Sequence, residues 1–221
     1  MGFTVDVSGA QVILYNMSCG YLPAEDQKLV QIVNAALADS AQRSGKWLAC
    51  KPGCSQCCVG VFAINQLDAA RLRNGMAVIE QRDPQLAARI RTRARDVVAR
   101  RSATFPGDAM TGIISEDEDM YDAWNEFAND EPCPALHPEK GTCEIYEFRP
   151  VICRTFGPPV MDEEENDLAV CDLCFTDATD EETAACEMHP DPDNLQGALL
   201  KDLEEKTGVK GETIIAWVLA R

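Results

Sequence analysis

Eleven cysteines stand in a chain of 221 residues, and their spacing is the first chemical signal. One group reads Cys50-x3-Cys54-x2-Cys57-Cys58; a second reads Cys133-x9-Cys143-x9-Cys153, followed by Cys171-x2-Cys174. Thiolates two to four residues apart converge on one metal ion without strain, because the turn between them leaves amides free to hydrogen-bond the sulfurs. Pro52-Gly53 supplies such a turn inside the first group. The adjacent pair Cys57-Cys58 is different. Neighbouring side chains diverge by roughly 100° in a helix and point to opposite faces in a strand. The pair is therefore expected to serve two metal sites, two atoms of one cluster, or one ligand and one buried thiol.

The reading as metal depends on the compartment. No apolar run approaches the roughly 20 residues of a membrane span, and the opening MGFTVDVSGAQVILYN has no basic segment followed by an apolar one. The expectation is a soluble, cytoplasmic protein, in which clustered thiols bind metal rather than pair as disulfides. Arg149 and Arg154 flank Cys153. They either offset the negative charge of a thiolate site or pair at the surface with Glu144, Glu147 or the acidic 162–167 run. His137, His189 and Asp172 are expected in solvent, and Tyr146 in packing.

The run CKPGCSQCC, then CPAL and GTCEIYEFRPVICRTFG with a later cysteine, resembles the YkgJ-like cysteine-cluster family of CxxxCxxCC type. The resemblance spans about residues 48–175 and implies a small bacterial cytoplasmic domain that chelates zinc or iron. It further implies eight ligands: Cys50, Cys54, Cys57, Cys58, Cys133, Cys143, Cys153 and a last one for which Cys171 and Cys174 both fit. Cys174, Cys186 and Cys19 are then extras. The group bound would be an iron–sulfur cluster or Zn2+. Eight thiolates match two four-coordinate zinc sites and are four more than one [4Fe–4S] cluster takes. Some relatives are joined to flagellin lysine methylation and others are labelled oxidoreductases, so the resemblance fixes no activity.

Elements must carry these cysteines. The predicted fold is mainly α: a small irregular Cys-rich metal-binding core packed by amphipathic helices, with minor β-structure. The predicted division is an N-terminal helical extension over 1–45, a cysteine-cluster domain over 46–175 with a helical insert at 65–131, and a helical tail over 176–221. Leu29, Val33, Ala36 and Leu37 mark a helix over 24–42. Asn65 is the expected N-cap of the next, with Asp68 completing a capping box, and Gly75 its expected stop or kink. Asp83-Pro84 opens another helix, with Leu86, Ile90, Ala94, Val97 and Val98 as its stripe, ending near Arg101. Met120, Trp124 and Phe127 suggest a short helix. Leu195, Leu199 and Leu203 form a stripe ending at Gly208, and GETIIAWVLA follows.

Charge narrows the partners. Residues 1–101 carry 13 basic and 8 acidic groups, whereas the remainder carries 7 and 29, for a net −17. So acidic a chain is not expected to bind nucleic acid or an anionic membrane. Arg89, Arg91, Arg93, Arg95, Arg100 and Arg101 read as a solvated helix face salt-bridged to the acidic half. No Walker loop, dinucleotide fingerprint or Gly-x-Ser-x-Gly is present. Three uses of a thiolate metal site remain: electron transfer or an oxidoreductase or modification reaction with a protein or redox partner; a zinc-stabilised interaction module; and a metal carrier or thiol sensor.

Overall fold

The computed structural model describes residues 20–162 and 166–221. Cys19 and the middle of the acidic 162–167 run lie outside them. The elements in order are α1 (Asp26–Ser44), α2 (Gln66–Arg82), α3 (Pro84–Arg101), β1 (Gly107–Asp108), β2 (Ile113–Ile114), α4 (Tyr121–Glu126), α5 (Ile152–Thr155), β3 (Val160–Asp162), β4 (Asp167–Ala169), α6 (Asp180–Ala184), α7 (Leu195–Thr207) and α8 (Ile215–Leu219). The strands form two small antiparallel hairpins, with Gly107 opposite Ile114 and Val160 opposite Ala169. The chain is mainly α with minor β, as the sequence predicts.

The helix hairpin α2–α3 is built around one residue. Asp83 caps the end of α2 by donating its N–H to the Ile79 carbonyl, and its carboxylate accepts the Leu86 N–H at 2.9 Å to start α3. Pro84 takes the first helical position, where no N–H is needed. Ile79, Met76 and Leu72 of α2 then face Ala87, Ile90 and Ala94 of α3, and the short α8 packs across both through Ile215, Val218 and Leu219. A second core joins Leu29 and Val33 of α1 to Leu199 and Leu203 of α7. A third stacks Phe105 on Trp217, ring centroids 4.4 Å apart, with Phe127 edge-on to Phe105. Burial of each large apolar side chain contributes about 1.5–3 kcal/mol.

Two local expectations change. Gly75 neither stops nor kinks a helix: α2 runs through it to Arg82. A Cβ there would lie 2.2 Å from Phe148 Cγ, so the glycine admits the loop that leads to Cys153. Asn65 does cap α2, accepting the Asp68 N–H at 3.0 Å. The Asp68 side chain, however, does not return to complete a box. It accepts the Val151 N–H at 2.9 Å and pairs with Arg71. Arg71, itself buried, also holds Asp26 at the start of α1 through Nε at 3.0 Å. One buried guanidinium thereby fastens α1, α2 and the segment just before Cys153. The arginines of α3 meet the acidic half as expected: Arg93 with Glu144, Arg100 with Glu131, Arg101 with Glu131 and Asp130, while Arg91 pairs with Glu80 of α2.

Candidate metal centre

Tight turns place the cysteines. Cys54 N–H returns to the Lys51 carbonyl at 2.9 Å, closing the Pro52-Gly53 turn, with Gly53 at φ +91°. Cys57 and Cys58 lie in a single 3-10 turn, Gln56–Cys58. The second region is laid beside the first by main chain: Cys133 N–H donates to the Cys58 carbonyl at 2.7 Å, and Gly60 N–H to that of Glu131 at 2.9 Å. From Cys133 the chain makes a tight loop, with His137 N–H on the Thr142 carbonyl and Glu144 N–H on that of Ala135, which brings Cys143 back alongside. The His137 ring also belongs to that loop, its Nδ1 accepting the exposed Glu139 and Lys140 N–H groups at 3.2 Å. Cys153 rides on α5, held by the Asp68–Val151 bond. Cys171 and Cys174 close a turn of their own, and Phe175 N–H ties it to the Trp47 carbonyl at 2.9 Å.

Seven thiols, those of Cys50, Cys54, Cys57, Cys58, Cys133, Cys143 and Cys153, line one open cleft of about 530 Å³. Its apolar walls include Phe62 and Phe156, whose rings lie 5.8 Å apart. Gly157 and Gly141 permit the crowding: a Cβ on the first would stand 2.7 Å from Cys50 Sγ, and on the second 2.9 Å from the Gly53 carbonyl oxygen. The thiols surround the cleft; among the described residues no three Cys, His, Asp or Glu groups already converge on one point. Cys174 and Cys186 are buried beneath it, around Phe175, Trp47 and Leu48. The Cys57 and Cys58 thiols hydrogen-bond one another and share Cys143 as a neighbour, with Cys133 beside Cys58 and Cys153 beside Cys57.

Burial raises most of these thiols above their ordinary range. It pushes Cys133 up to about 12, Cys50 to about 12 with help from Cys174, and raises Cys143, Cys153 and Cys171. The hydrogen bond from Cys58 pulls Cys57 down to about 6, and keeps the shared proton on Cys58, which rises. Main-chain amides also reach the sulfurs, those of Ala135 and Leu136 at Cys133, Ile145 at Cys143 and Leu173 at Cys171. Such amides stabilise the ionised form.

Does this donor set suit a metal? One orphaned group speaks to it. The Arg149 guanidinium stacks on the Tyr146 ring at 3.7 Å, and its Nε is buried without any hydrogen-bond partner. An unmatched buried N–H costs about 1–3 kcal/mol. Its charge acts on Cys57 and Cys143, so a thiolate centre of net negative charge would give it an acceptor. A soft thiolate set selects zinc or iron–sulfur groups, and binding would exchange the protons that burial retains for metal. The residues fit. Arg154 has a different task from its neighbour: it is buried and donates to Asn34 Oδ1 at 2.8 Å and to the Glu147 carbonyl at 2.7 Å, bracing the loop before Cys153. Of the carboxylates expected to pair with it, Glu144 goes to Arg93 and Glu147 to Arg82, and the middle of the 162–167 run lies outside the described residues. Sequence reasoning missed the Asp26–Arg71–Asp68 brace, Gly157 and Gly141, whose importance lies in contacts distant along the chain.

Compared with known proteins, residues 49–175 match the family model CxxCxxCC, "putative zinc- or iron-chelating domain". The match covers more than half of the chain and contains all nine candidate positions for the eight implied ligands, leaving Cys19 and Cys186 outside. No curated protein and no solved structure matches the chain.

Proposed function

Since the chain belongs to the CxxCxxCC family of zinc- or iron-chelating domains, we propose that its clustered thiolates hold an iron–sulfur cluster or zinc in an exposed working centre, serving electron transfer or an oxidoreductase or modification reaction. The observation that carries this reading is the open cleft of about 530 Å³ lined by seven thiols. A structural zinc site is closed around its ion, whereas a working centre keeps an approach open. The cleft leaves room beside the sulfurs for a substrate or for the side chain of a partner. Arg149, Lys51 and the phenyl walls are the groups such a visitor would meet. A metal held there supplies electron-transfer or Lewis-acid chemistry; the chain supplies the thiolates, the amides that stabilise them and the arginine that balances their charge.

A second reading, a zinc-stabilised interaction module, draws on one observation. Among the described residues between Cys133 and Cys174, regular structure is limited to short turns, one four-residue helix and a hairpin of two three-residue strands. Metal would then substitute for a missing core. The test of both is purification without oxygen, followed by metal analysis and visible spectroscopy. Iron and sulfide with broad visible absorption support a redox centre; a colourless zinc protein rules out electron transfer and leaves a zinc-dependent reaction or the module. Protein free of both metals, with all thiols titratable, overturns metal binding altogether.

A further inference from the structure

Nine thiols exceed what one centre takes. A tetrahedral ion or a [4Fe–4S] cluster accepts four, so the sulfurs either leave a surplus of five or divide. Their packing divides them. Cys133, Cys143 and Cys153 are laid on the main core formed by α2, α3 and α8. Cys171 and Cys174 belong to a separate small cluster with Trp47, Leu48 and Phe175. The CKPGCSQCC loop lies between and contributes two cysteines to each side. Ala49 N–H donates to Cys174 Sγ at 3.4 Å, which seats the start of the loop on the small cluster. There the Cys50 thiol meets that of Cys174, with Cys54 and Cys171 adjacent. Two tight turns therefore face each other, Cys50 to Cys54 and Cys171 to Cys174, each closed by its own main-chain hydrogen bond. The end of the loop is tied by Cys58 to Cys133, and Cys57 and Cys58 face Cys133, Cys143 and Cys153.

We propose that the chain holds two metal centres: one on Cys50, Cys54, Cys171 and Cys174, the other on four of Cys57, Cys58, Cys133, Cys143 and Cys153. This rests on the metal-binding reading above and deepens it. Cys171 and Cys174 then cease to be alternatives, since both ligate, and Cys174 is an integral ligand rather than an extra. A loop shared by two centres also couples them: filling one fixes the segment that presents ligands to the other.

The experiment titrates the reduced, metal-free full chain with Co2+, reading the visible absorption of tetrahedral cobalt thiolate. The wild-type chain saturates at two equivalents. The double variant Cys171→Ser/Cys174→Ser keeps one equivalent, and Cys133→Ser/Cys153→Ser keeps one, with helical circular dichroism retained. Saturation of the wild type at one equivalent, or loss of all cobalt in both folded doubles, overturns the two-centre assignment while leaving metal binding intact. No cobalt thiolate absorption in the wild type overturns the metal-binding reading itself. Should the doubles fail to fold, alkylation of the cobalt-saturated wild-type chain decides: protection of both sets of cysteines supports two centres, and protection of a single group of four overturns them.

Discussion

Cys133 donates its main-chain N–H to the carbonyl of Cys58 at 2.7 Å, so two cysteine regions far apart in sequence are joined backbone to backbone before any sulfur is considered. Main-chain pairing sets the two regions side by side, and a metal would draw the thiols that face one cleft onto common points.

Single ligand losses should separate the motif from the bystanders. Cys57→Ser and Cys153→Ser should each reduce metal content, because a tetrathiolate site missing one sulfur loses affinity steeply. Cys186→Ser should leave it unchanged, since that thiol lies outside both ligand sets. Metal per chain after gel filtration is the measurement; retention by Cys57→Ser together with loss by Cys186→Ser would refute the ligand assignment.

Arg71 is expected to be the costliest single charge to remove. Arg71→Met leaves the carboxylates of Asp26 and Asp68 buried without their cation, which should lower stability by about 3–5 kcal/mol. Urea unfolding of the metal-free chain would read it directly. A loss below about 1 kcal/mol would mean that water replaces the guanidinium and that the brace is not structural.

Gly75→Ala runs against helix propensity. Alanine within a helix is favoured over glycine by about 1 kcal/mol, yet here the added Cβ meets Phe148 Cγ at 2.2 Å. Overpacking of that kind costs about 1–3 kcal/mol. The variant should be destabilised, and Phe148→Leu in the same chain should recover part of the loss; a stabilised single variant would show that the loop before Cys153 gives way freely.

The ion pair between Glu80 and Arg91 gives a pH signature across the α2–α3 hairpin. The hydrogen bond from Arg91 holds the Glu80 carboxyl below its usual range, against a small opposing effect of burial. A folded pKa below the unfolded value of about 4.3 means the contribution is present above that pH and is lost as pH falls through the folded value. The pair is half in solvent, so Glu80→Gln should cost only a few tenths of a kcal/mol at neutral pH. The difference from wild type should shrink as pH falls below the usual carboxylate range and vanish once the carboxyl is protonated in both states. A difference that persists in acid would point to packing rather than charge.

Chelation under reducing conditions should act locally. Helices α1, α2, α3 and α7 have their own apolar partners and should keep their circular dichroism. The segment between Cys133 and Cys174 has little regular structure and should exchange its amide hydrogens much faster, because metal binding contributes on the order of 10 kcal/mol in structural sites. Unchanged protection there after verified metal loss would favour a labile carrier or sensor.

The local signals were legible in the sequence because they act over a few residues. Asn65 and Asp83-Pro84 begin helices where a cap acceptor is followed by a helical stripe, and Gly208 ends one in the left-handed conformation that glycine adopts at little cost. The cysteine spacing alone pointed to soft-metal coordination, since that depends on ligand type and turn length. Long-range packing decided the rest. Gly75 reads as a helix stop until Phe148, distant in the chain, is seen to occupy the space a side chain would take. Asp68 reads as a capping partner until Arg71 and Val151 claim its oxygens. The division of the thiols is likewise invisible in the spacing, where Cys54 and Cys57 are near neighbours. Only the tertiary structure sets one against Cys50, Cys171 and Cys174 and the other against Cys58, Cys143 and Cys153, because each end of their shared loop is hydrogen-bonded to a different part of the molecule.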